Sequence, residues 1–315
     1  MDTSNEWIVK RSGIEERRWV RDGICTSDLA FEASKKAMKA AKVSSEDIDL
    51  VIVGTITSDY FFPGVSAQLQ DRLDLHHIGA FDVKAACSAF IYALSIGDQF
   101  IRTGVCSTIL IVGAEVQSKF LNISTEGRDM TVLFGDGSGA AILQKSDDES
   151  GILSTHLHCQ GANIKDLWME APGSAENCQM TNIKLEEGRH FPLMNGREVF
   201  RNAIVRFPEV IQESLDASGL TLDDVSLIIP HQANLRISQA VAKRLGVGMD
   251  KVFSNIHKYG NTTAASIPIA FCEAIEEKRI SKGDIVILAS FGAGFTWASA
   301  AIRCTHLEFR ASSQS

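Results

Sequence analysis

The chain has 315 residues, of which 45% are hydrophobic and 22% charged, as in ordinary globular proteins. Its net charge of −8 argues against a general nucleic-acid or anionic-membrane surface, which needs a basic excess. Seven cysteines without a CxxC pair are typical of a reduced compartment and argue against a disulfide framework or a zinc ribbon. Neither a transmembrane-length run nor a signal-peptide core is present, so a cytoplasmic protein is expected.

Two stretches of the chain repeat the same order of elements. In 48–145, the apolar run IDLVIVGTIT is followed by a helix, by FDVKAAC with a second helix, and by apolar runs ending in TVLFGDGSGAAILQ. In 222–303, VSLIIPHQAN, a helix, KVFSNIHKYGN, a second helix and KGDIVILASFGAGFTWASAAIR follow in that order. Continuous apolar strands that alternate with amphipathic helices predict mostly parallel sheets covered on both faces. The repeat therefore predicts two packed α/β halves.

The repeat also predicts where the halves begin and end. We expect an N-terminal half over 1–145, a polar connecting region over 146–200, a C-terminal half over 201–303, and a patternless, disordered tail over 304–315. Independent folding of each half is the alternative, and the absence of a Pro/Gly/Ser-rich linker between the halves argues against it.

Three polar residues follow predicted strands, where α/β sheets bind their ligands. Cys87 ends DVKAAC and begins a helix, whose dipole favours the thiolate, although most buried cysteines are simple core residues. His231 follows IIP, where a neutral imidazole can donate a hydrogen bond or move a proton, or merely cap the next helix. Asn261, in KYGNTTAAS, is also a good turn and cap residue.

Two further patterns carry weaker signals. The glycine-rich turn in SFGAGFTW can present backbone N–H groups to a developing oxyanion. His156 and His158 alternate on a predicted strand and could chelate a metal, but without an evident third ligand a solvated strand face is the better interpretation.

Six motifs in order give the chain a specific resemblance over about residues 2–303. They are TSNEWIVKRSGIEERR, DVKAACSAF, LFGDGSGAAIL, PHQANLRI, YGNTTAAS and FGAGFTWASA. With these motifs the chain resembles the β-ketoacyl-acyl-carrier-protein synthase III family of the thiolase superfamily. The resemblance implies an α/β, thiolase-like fold, in which two duplicated βα halves pack in five layers, α-β-α-β-α.

The resemblance implies a Cys87, His231 and Asn261 triad and a two-step, decarboxylating condensation. The Cys87 thiolate takes the acyl group of an acyl-CoA primer, most simply acetyl-CoA. Malonyl-acyl carrier protein then loses carbon dioxide while the side chains of His231 and Asn261 donate hydrogen bonds to its thioester carbonyl. The N–H groups of Cys87 and of a residue near Ala293 form a second oxyanion site, and Phe291 keeps the pocket apolar. No metal or cofactor is implied, because the CoA thioester is a substrate.

The resemblance also implies binding surfaces. Trp7 and Arg128 match positions that sandwich the adenine of CoA, and Arg11 matches a phosphate contact. Phe62 matches a residue that reaches the acyl pocket of the partner subunit in a homodimer. The carrier-protein contacts are Gln232, Ala233, Asn234, Leu235, Arg236, Lys243 and Arg244. From charge alone, an ordinary solvated helix face is the better interpretation of the basic residues of this set.

The chain departs from the family pattern in places. The family's first strand normally precedes TS-x-E-W and is expected in the middle of the N-terminal sheet, so its absence predicts unpaired backbone groups there. FGAG replaces the commoner FGGG and adds a methyl group near the oxyanion site.

Two other functions remain open besides initiation of fatty-acid synthesis. The first is a secondary-metabolism condensing enzyme with another primer or acceptor. The second is a truncated, inactive binding protein with the same fold. The expected compartment is the cytoplasm, or the plastid stroma in a plant or alga. Neither nucleic acid nor membrane is expected as a partner.

Overall fold

The computed structural model describes residues 1–147, 150–175 and 181–304. The strands are β1 (Leu50–Gly54), β2 (Gly79–Val83), β3 (Thr108–Glu115), β4 (Gly137–Gln144), β5 (Gly151–Cys159), β6 (Leu167–Met169), β7 (Pro192–Met194), β8 (Val225–Pro230), β9 (Ile285–Gly292) and β10 (Thr296–Arg303). The α-helices are α1 (Asn5–Ser12), α2 (Thr26–Ala41), α3 (Val65–Arg72), α4 (Ala89–Arg102), α5 (Arg128–Thr131), α6 (Asn182–Glu186), α7 (Gly196–Ser218), α8 (Leu235–Leu245), α9 (Ile256–Tyr259) and α10 (Ser266–Glu276).

The first sheet has the strand order β2-β1-β3-β4. β1 pairs in parallel with β2 on one side and with β3 on the other, while β4 runs antiparallel to β3. Side chains alternate along β1, so that Leu50 and Ile52 face one layer of helices while Val51 and Val53 face another. This two-sided burial explains why the strand is a continuous apolar run rather than an alternating one.

The second sheet repeats the arrangement with one additional strand. Its order is β5-β10-β9-β8, with β8 parallel to β9 and β10 antiparallel to it. β8, β9 and β10 therefore correspond to β1, β3 and β4, and an isolated parallel bridge between Ile228 and Val252 stands where β2 stands in the first sheet. β5 pairs antiparallel with the outer edge of β10. The duplication predicted from the sequence is thus present in the strand order.

The layers follow from the helix contacts. α4 and α10 lie between the two sheets, α2 and α3 cover the outside of the first sheet, and α7 and α8 cover the outside of the second. The central apolar cluster joins both sheets through α4 and α10, with Phe90, Leu94, Ile267 and Ala270 all buried. The result is the five-layered arrangement that the resemblance predicts.

Two details differ from the sequence-based expectations. The middle of the first sheet has no gap, because β1 is hydrogen-bonded directly to both β2 and β3. In the second sheet, β5 pairs with the outer edge of β10, the strand that corresponds to β4. In the described part of the chain no strand pairs with the outer edge of β4, so the unpaired backbone groups lie at an edge of the first sheet and not in its middle. β5 itself lies within the predicted connecting region, 146–200, yet it completes the second sheet.

The predicted tail 304–315 lies outside the described residues except for Cys304. None of the helices in the described ranges is both long and apolar enough to cross a bilayer. The division into an N-terminal half, a connecting region and a C-terminal half remains a prediction.

Candidate active site

Cys87 lies in a 3-10 turn, Ala86–Ser88, directly before α4, and we call this segment the cysteine turn. The sequence predicted that Cys87 begins the helix itself, whereas α4 begins two residues later, at Ala89. Ala86 has a positive φ of 46°, which turns the chain sharply out of the strand. Thr296 holds the turn from the second sheet, with its Oγ1 3.2 Å from Ser88 Oγ.

The end of β9 packs directly against the cysteine turn. A Cβ built on Gly292 would lie 2.5 Å from Cys87 Cβ and 2.8 Å from its Sγ, so only glycine fits at this position. The backbone N–H groups of the next residue, Ala293, and of Cys87 itself lie close enough to Sγ to act against the rise in its pKa. The N–H groups of the cysteine turn and of the residue after β9 thus lie beside the sulfur, where the oxyanion of a carbonyl attached to that sulfur would form.

The environment of Cys87 favours the neutral thiol. Burial, and after it the nearby Glu115 carboxylate, raise its pKa to about 12, whereas the N–H groups of Ala293 and Cys87 act in the opposite direction. The sequence-based expectation that a helix terminus favours the thiolate is therefore outweighed by desolvation. At neutral pH the resting sulfur is a thiol, and its nucleophilic form is created only when a proton leaves.

His231 lies at the end of β8 and is 1% exposed. Its backbone N–H donates to Ala289 O in β9 at 2.8 Å, which joins it to the strand that leads to Gly292. The imidazole Nδ1 lies 2.6 Å from Ser266 Oγ, and within the described chain Nε2 is buried without a partner. Burial lowers the pKa of His231 to about 3, so the ring is neutral.

Asn261 is held so that one end of its amide is free. Its backbone N–H donates to Leu133 O at 2.8 Å, and its carbonyl accepts from Gly135 N–H at 3.0 Å. The side-chain Oδ1 accepts the N–H of Thr263 at 2.9 Å. Because that contact uses the oxygen, the NH₂ group of the amide is the end available to a ligand.

The three segments meet around a second 3-10 turn, Thr263–Ala265, which we call the α10 turn. It packs against the cysteine turn, follows Asn261, and precedes Ser266, the partner of His231. Like Ala86, Thr263 has a positive φ, at 49°. The structure therefore brings together the segments of the predicted triad, and the two turns occupy equivalent positions before α4 and α10.

Comparison with known proteins reveals the family. Family models for 3-oxoacyl-[acyl-carrier-protein] synthase III match residues 81–161, and models for its C-terminal part match residues 215–304. A β-ketoacyl-[acyl-carrier-protein] synthase III from Xanthomonas campestris pv. campestris is 46% identical over 303 residues, covering 96% of this chain and 91% of the relative. The chain belongs to this family. It is a condensing enzyme of the acyltransferase class, from the family that initiates fatty-acid synthesis.

Solved structures agree in fold. The β-ketoacyl-[acyl carrier protein] synthase III of Thermus thermophilus aligns with a TM-score of 0.88 and 41% identity, covering 96% of this chain and 92% of that one. The priming β-ketosynthase of the R1128 polyketide pathway aligns with a TM-score of 0.88 at 30% identity, covering 98% of this chain and 90% of that one. The thiolase-like fold is therefore confirmed.

The predicted CoA residues form a basic groove near α1. A cavity of about 390 Å³ is lined by Trp7, Lys10, Arg11 and Arg236. The guanidinium carbons of Arg11 and Arg128 lie 4.3 and 4.6 Å from the centre of the Trp7 ring. Arg128 thus contacts Trp7 directly, and a base could enter between them only if this stack opened.

The predicted carrier-protein residues differ in exposure, from buried to half-buried to exposed. Gln232 is buried, and its amide is used internally: Nε2 donates to Pro230 O at 2.6 Å and Oε1 accepts the N–H of Asn255 at 3.1 Å. Asn234 caps α8 by accepting the N–H of Arg236 at 2.9 Å. The exposed members are Arg236, Lys243 and Arg244, while Ala233, Asn234 and Leu235 are half-buried.

The two aromatic residues predicted to line the pocket, Phe291 and Phe62, lie in different environments. Phe291 is buried beside Phe295, with ring centres 4.9 Å apart, in the apolar cluster that contains Phe207 of α7. Phe62 instead is 80% exposed, next to Phe61 at 83%. Within this chain Phe62 therefore does not line the cysteine site.

Three residues at the site were not predicted from the sequence. Gly292 abuts Cys87, Ser266 holds His231, and Glu115 is a fully buried carboxylate at the end of β3. A carboxylate at the end of the apolar run STILIVGAE was the available signal for Glu115. For Ser266 the chain offered only its place in YGNTTAAS, since nothing local indicates a partner 35 residues away.

The paired histidines of β5 share a carboxylate. His158 Nε2 lies 2.6 Å and His156 Nδ1 lies 3.2 Å from the two oxygens of Glu213 in α7. The strand face carrying them is therefore packed on a helix rather than fully solvated. Over the described ranges, no group of three or more ligand side chains could hold a metal ion.

Proposed function

We propose that this protein condenses an acyl-CoA primer, with acetyl-CoA as the expected one, with malonyl-acyl carrier protein through an acyl-Cys87 intermediate. The observation that carries the proposal is the close packing of the end of β9 against the buried sulfur of Cys87, which brings the backbone N–H groups of Cys87 and Ala293 beside it. This arrangement suits a tetrahedral oxyanion formed on a carbonyl attached to that sulfur.

In the first step the Cys87 sulfur attacks the thioester carbon of the acyl-CoA. The N–H groups of Cys87 and Ala293 receive the oxyanion, the bond to the CoA sulfur breaks, and the cysteine proton leaves with CoA as its thiol. The high pKa of Cys87 means that this proton must depart as the bond forms, since little free thiolate exists beforehand.

In the second step the malonyl carboxylate leaves as carbon dioxide, and its bonding electrons form an enolate. His231 and Asn261 donate hydrogen bonds to the enolate oxygen, for which a neutral imidazole and a free amide NH₂ are suited. The enolate carbon attacks acyl-Cys87, the β-ketoacyl product forms, and the sulfur is released and reprotonated. This chemistry needs neither a metal nor an organic cofactor.

The acyl-enzyme is tested by intact-mass analysis after incubation with acetyl-CoA. We expect one acetyl adduct in the wild type and none in Cys87→Ala, while Cys106→Ala, which removes another buried free cysteine, keeps the adduct. Retention of the adduct in Cys87→Ala would overturn the assignment of the nucleophile. Absence of any adduct in the wild type would favour a non-catalytic binding protein.

The division of roles is tested with Asn261→Ala. This variant should still form acetyl-Cys87 but lose decarboxylation of malonyl-carrier protein by roughly 100-fold or more, as expected when a donor to a developing oxyanion is removed. Carbon dioxide release measures the second step. An equal loss of both half-reactions contradicts the proposal.

We propose that the exposed cations of α8 receive the acidic carrier protein beside the groove lined by Trp7 and Arg236. Lys243→Glu should raise the KM for malonyl-carrier protein several-fold and leave acylation by acetyl-CoA unchanged. Lys278→Glu, an exposed cation beyond α10, is the matched control. A similar rise in KM in both variants would count against a specific docking surface.

We propose a homodimer in which Phe62 approaches the partner subunit. In the described residues, β2 has a strand partner on only one side, and Asp82 of β2 accepts the N–H of Val65 at 2.8 Å. Shortly before Val65 in the chain, Tyr60, Phe61 and Phe62 are 62%, 83% and 80% exposed. Exposed aromatics next to an open strand edge favour association. Light scattering should give twice the monomer mass of 34.3 kDa, and a monomer at micromolar concentration would contradict this.

A condensing enzyme of secondary metabolism remains the second candidate, supported by the similarity to the priming β-ketosynthase of a polyketide pathway. Acylation rates with acetyl-, butyryl- and branched acyl-CoA separate the two, because the fatty-acid proposal expects a preference for acetyl-CoA. Localisation in the cytoplasm also remains a proposal, supported by the free thiols of the six described cysteines.

A further inference from the structure

One ring nitrogen of His231, Nδ1, is hydrogen-bonded to a single side chain, that of Ser266. Ser266, the first residue of α10, is 2% exposed and places its Oγ 2.6 Å from His231 Nδ1. The same Oγ accepts the backbone N–H of Gln232 at 3.4 Å. On the opposite side of the ring, Nε2 is buried and has no partner among the described residues.

The hydrogen positions follow from these contacts. A neutral imidazole carries one N–H and one acceptor nitrogen, and the low pKa of His231 keeps the ring neutral. Ser266 Oγ already accepts one hydrogen bond, from the N–H of Gln232. In the described chain, His231 Nδ1 is the one acceptor within reach of the hydroxyl hydrogen of Ser266. In the opposite tautomer, Nδ1–H would donate to Oγ, and the hydroxyl hydrogen of Ser266 would be buried without an acceptor.

We propose that Ser266 is a positioning residue that holds His231 as the Nε2–H tautomer. His231 then presents a hydrogen-bond donor to its ligand and cannot accept a proton at Nε2. The identity of that ligand as the malonyl thioester carbonyl rests on the proposed function, but the tautomer does not.

The position of Ser266 in the fold supports this role. Asn261 and Ser266 lie at the two ends of one short segment that contains the α10 turn. The Asn261 amide is oriented by the N–H of Thr263, and the His231 ring is oriented by the Ser266 hydroxyl. One segment therefore prepares both donors, and each presents N–H rather than an acceptor atom.

The tautomer is measured directly by ¹⁵N NMR of histidine-labelled full-length protein, with His231 assigned by the signals missing in His231→Gln. We expect a protonated Nε2 and an unprotonated Nδ1 in the wild type. Ser266→Ala should lose this preference, and Ser266→Thr should restore it because threonine keeps the hydroxyl. Ser34→Ala, which removes a buried hydroxyl in α2, is the control and should leave the His231 signals unchanged.

Kinetics provide the second readout. Ser266→Ala should slow decarboxylation of malonyl-carrier protein roughly 10- to 100-fold, less than loss of the donor itself, while acetyl-Cys87 still forms. A protonated Nδ1 in the wild type overturns the inference, and this measurement needs no variant. An unchanged tautomer in folded Ser266→Ala overturns it as well. Failure of the wild type to form acetyl-Cys87 would instead overturn the proposed function and leave the tautomer result standing.

Discussion

At the scale of single residues, the candidate site combines the proposed nucleophile, Cys87, with a nearby buried acid. Glu115 is fully buried and accepts hydrogen bonds from Thr57 Oγ1 at 2.5 Å and Ile56 N–H at 3.2 Å. The backbone N–H of Ala264 in the α10 turn lies close enough to oppose the rise in its pKa. Glu115 therefore links the loop after β1 to the turn between the two predicted donors. Burial raises the pKa of Glu115 to about 8, so its charge develops only in alkaline solution.

This arrangement predicts a specific pH dependence for Cys87. Its alkylation by iodoacetamide should accelerate with pH, because the pKa of the thiol is raised to about 12. Glu115→Gln should match the wild type below about pH 8, where Glu115 is protonated, and react faster above it, because the negative charge that raises the pKa of Cys87 is gone. A gain of up to about tenfold corresponds to one pKa unit.

Peptide mass spectrometry of the Cys87 peptide from pH 7 to 10 measures this rate. Glu213→Gln is the control, because that carboxylate lies between α7 and β5 and contacts the imidazoles of His156 and His158. Superimposable profiles for Glu115→Gln and the wild type above pH 8 would show that Glu115 has no electrostatic effect on the sulfur.

A second residue-scale prediction concerns stability in acid. The unfolded chain binds a proton at His231 near pH 6.5, whereas the folded protein binds it only near pH 3. This depressed pKa makes folding less favourable as pH falls through that window, by at most about 1.4 kcal/mol per pH unit. Urea unfolding at pH 5, 6 and 7 should show a shallower pH slope for His231→Gln, and identical slopes would refute the burial of a neutral ring.

At the scale of elements, the contact between β9 and the cysteine turn decides the geometry of the site. Gly292→Ala would place a Cβ 2.5 Å from Cys87 Cβ, so the turn or the strand must shift. We expect the free energy of unfolding to fall by about 1–3 kcal/mol, as for overpacked cores. Acetyl-Cys87 formation should fall far more than stability, by roughly 100-fold, because the N–H of Ala293 moves with the strand.

Gly161→Ala is the matched control, because a Cβ there meets nothing within 4 Å and the glycine has no positive φ. Chemical denaturation and the rate of acetylation separate the two effects. Normal acetylation in Gly292→Ala would show that the contact between β9 and the sulfur is not needed for the oxyanion site.

At the scale of the whole molecule, the central helices join the two halves. Phe90 of α4 is 1% exposed in the apolar cluster that contains strands of both sheets. Phe90→Ala should lower the free energy of unfolding by about 3–5 kcal/mol. Because the cluster is shared, Trp19 of the first half and Trp297 of the second should report a single transition. Val105→Ala, at a 67% exposed position, should change stability by no more than about 0.5 kcal/mol.

Fluorescence of the single-tryptophan variants, followed at one fixed protein concentration, measures this cooperativity. Two separate transitions in the wild type would mean that the halves unfold independently. That outcome would support the alternative in which each half is a domain of its own.

Local patterns along the chain were enough to predict much of the fold. The run LVIVG was predictable as a buried strand because both of its faces are covered, and the duplication followed from the repeated order of elements. Cys87, His231 and Asn261 were marked as candidates by their positions after strands, since the ends of strands face the cleft in such folds, and the resemblance implied their roles. These features depend on neighbours in sequence, which the chain displays directly.

Features that depend on distant neighbours needed the tertiary structure. Strand order does not follow chain order, so the closed centre of the first sheet and the membership of β5 in the second could not be derived from local pattern. Gln232 looks like a surface amide in the sequence, yet it is buried with its amide satisfied. The pKa values of Cys87 and His231 depend chiefly on burial, which packing alone decides.

The sequence by itself determined the family and the repeated order of elements, and it marked three candidate catalytic side chains, because each leaves a contiguous motif. The tertiary structure decided which groups surround them. Cys87 is affected by Gly292, 205 residues away in the chain, and by Glu115, 28 residues away. His231 is held by Ser266, 35 residues away. Such contacts arise only when the turns before α4 and α10 pack together, and no periodicity along the chain encodes them.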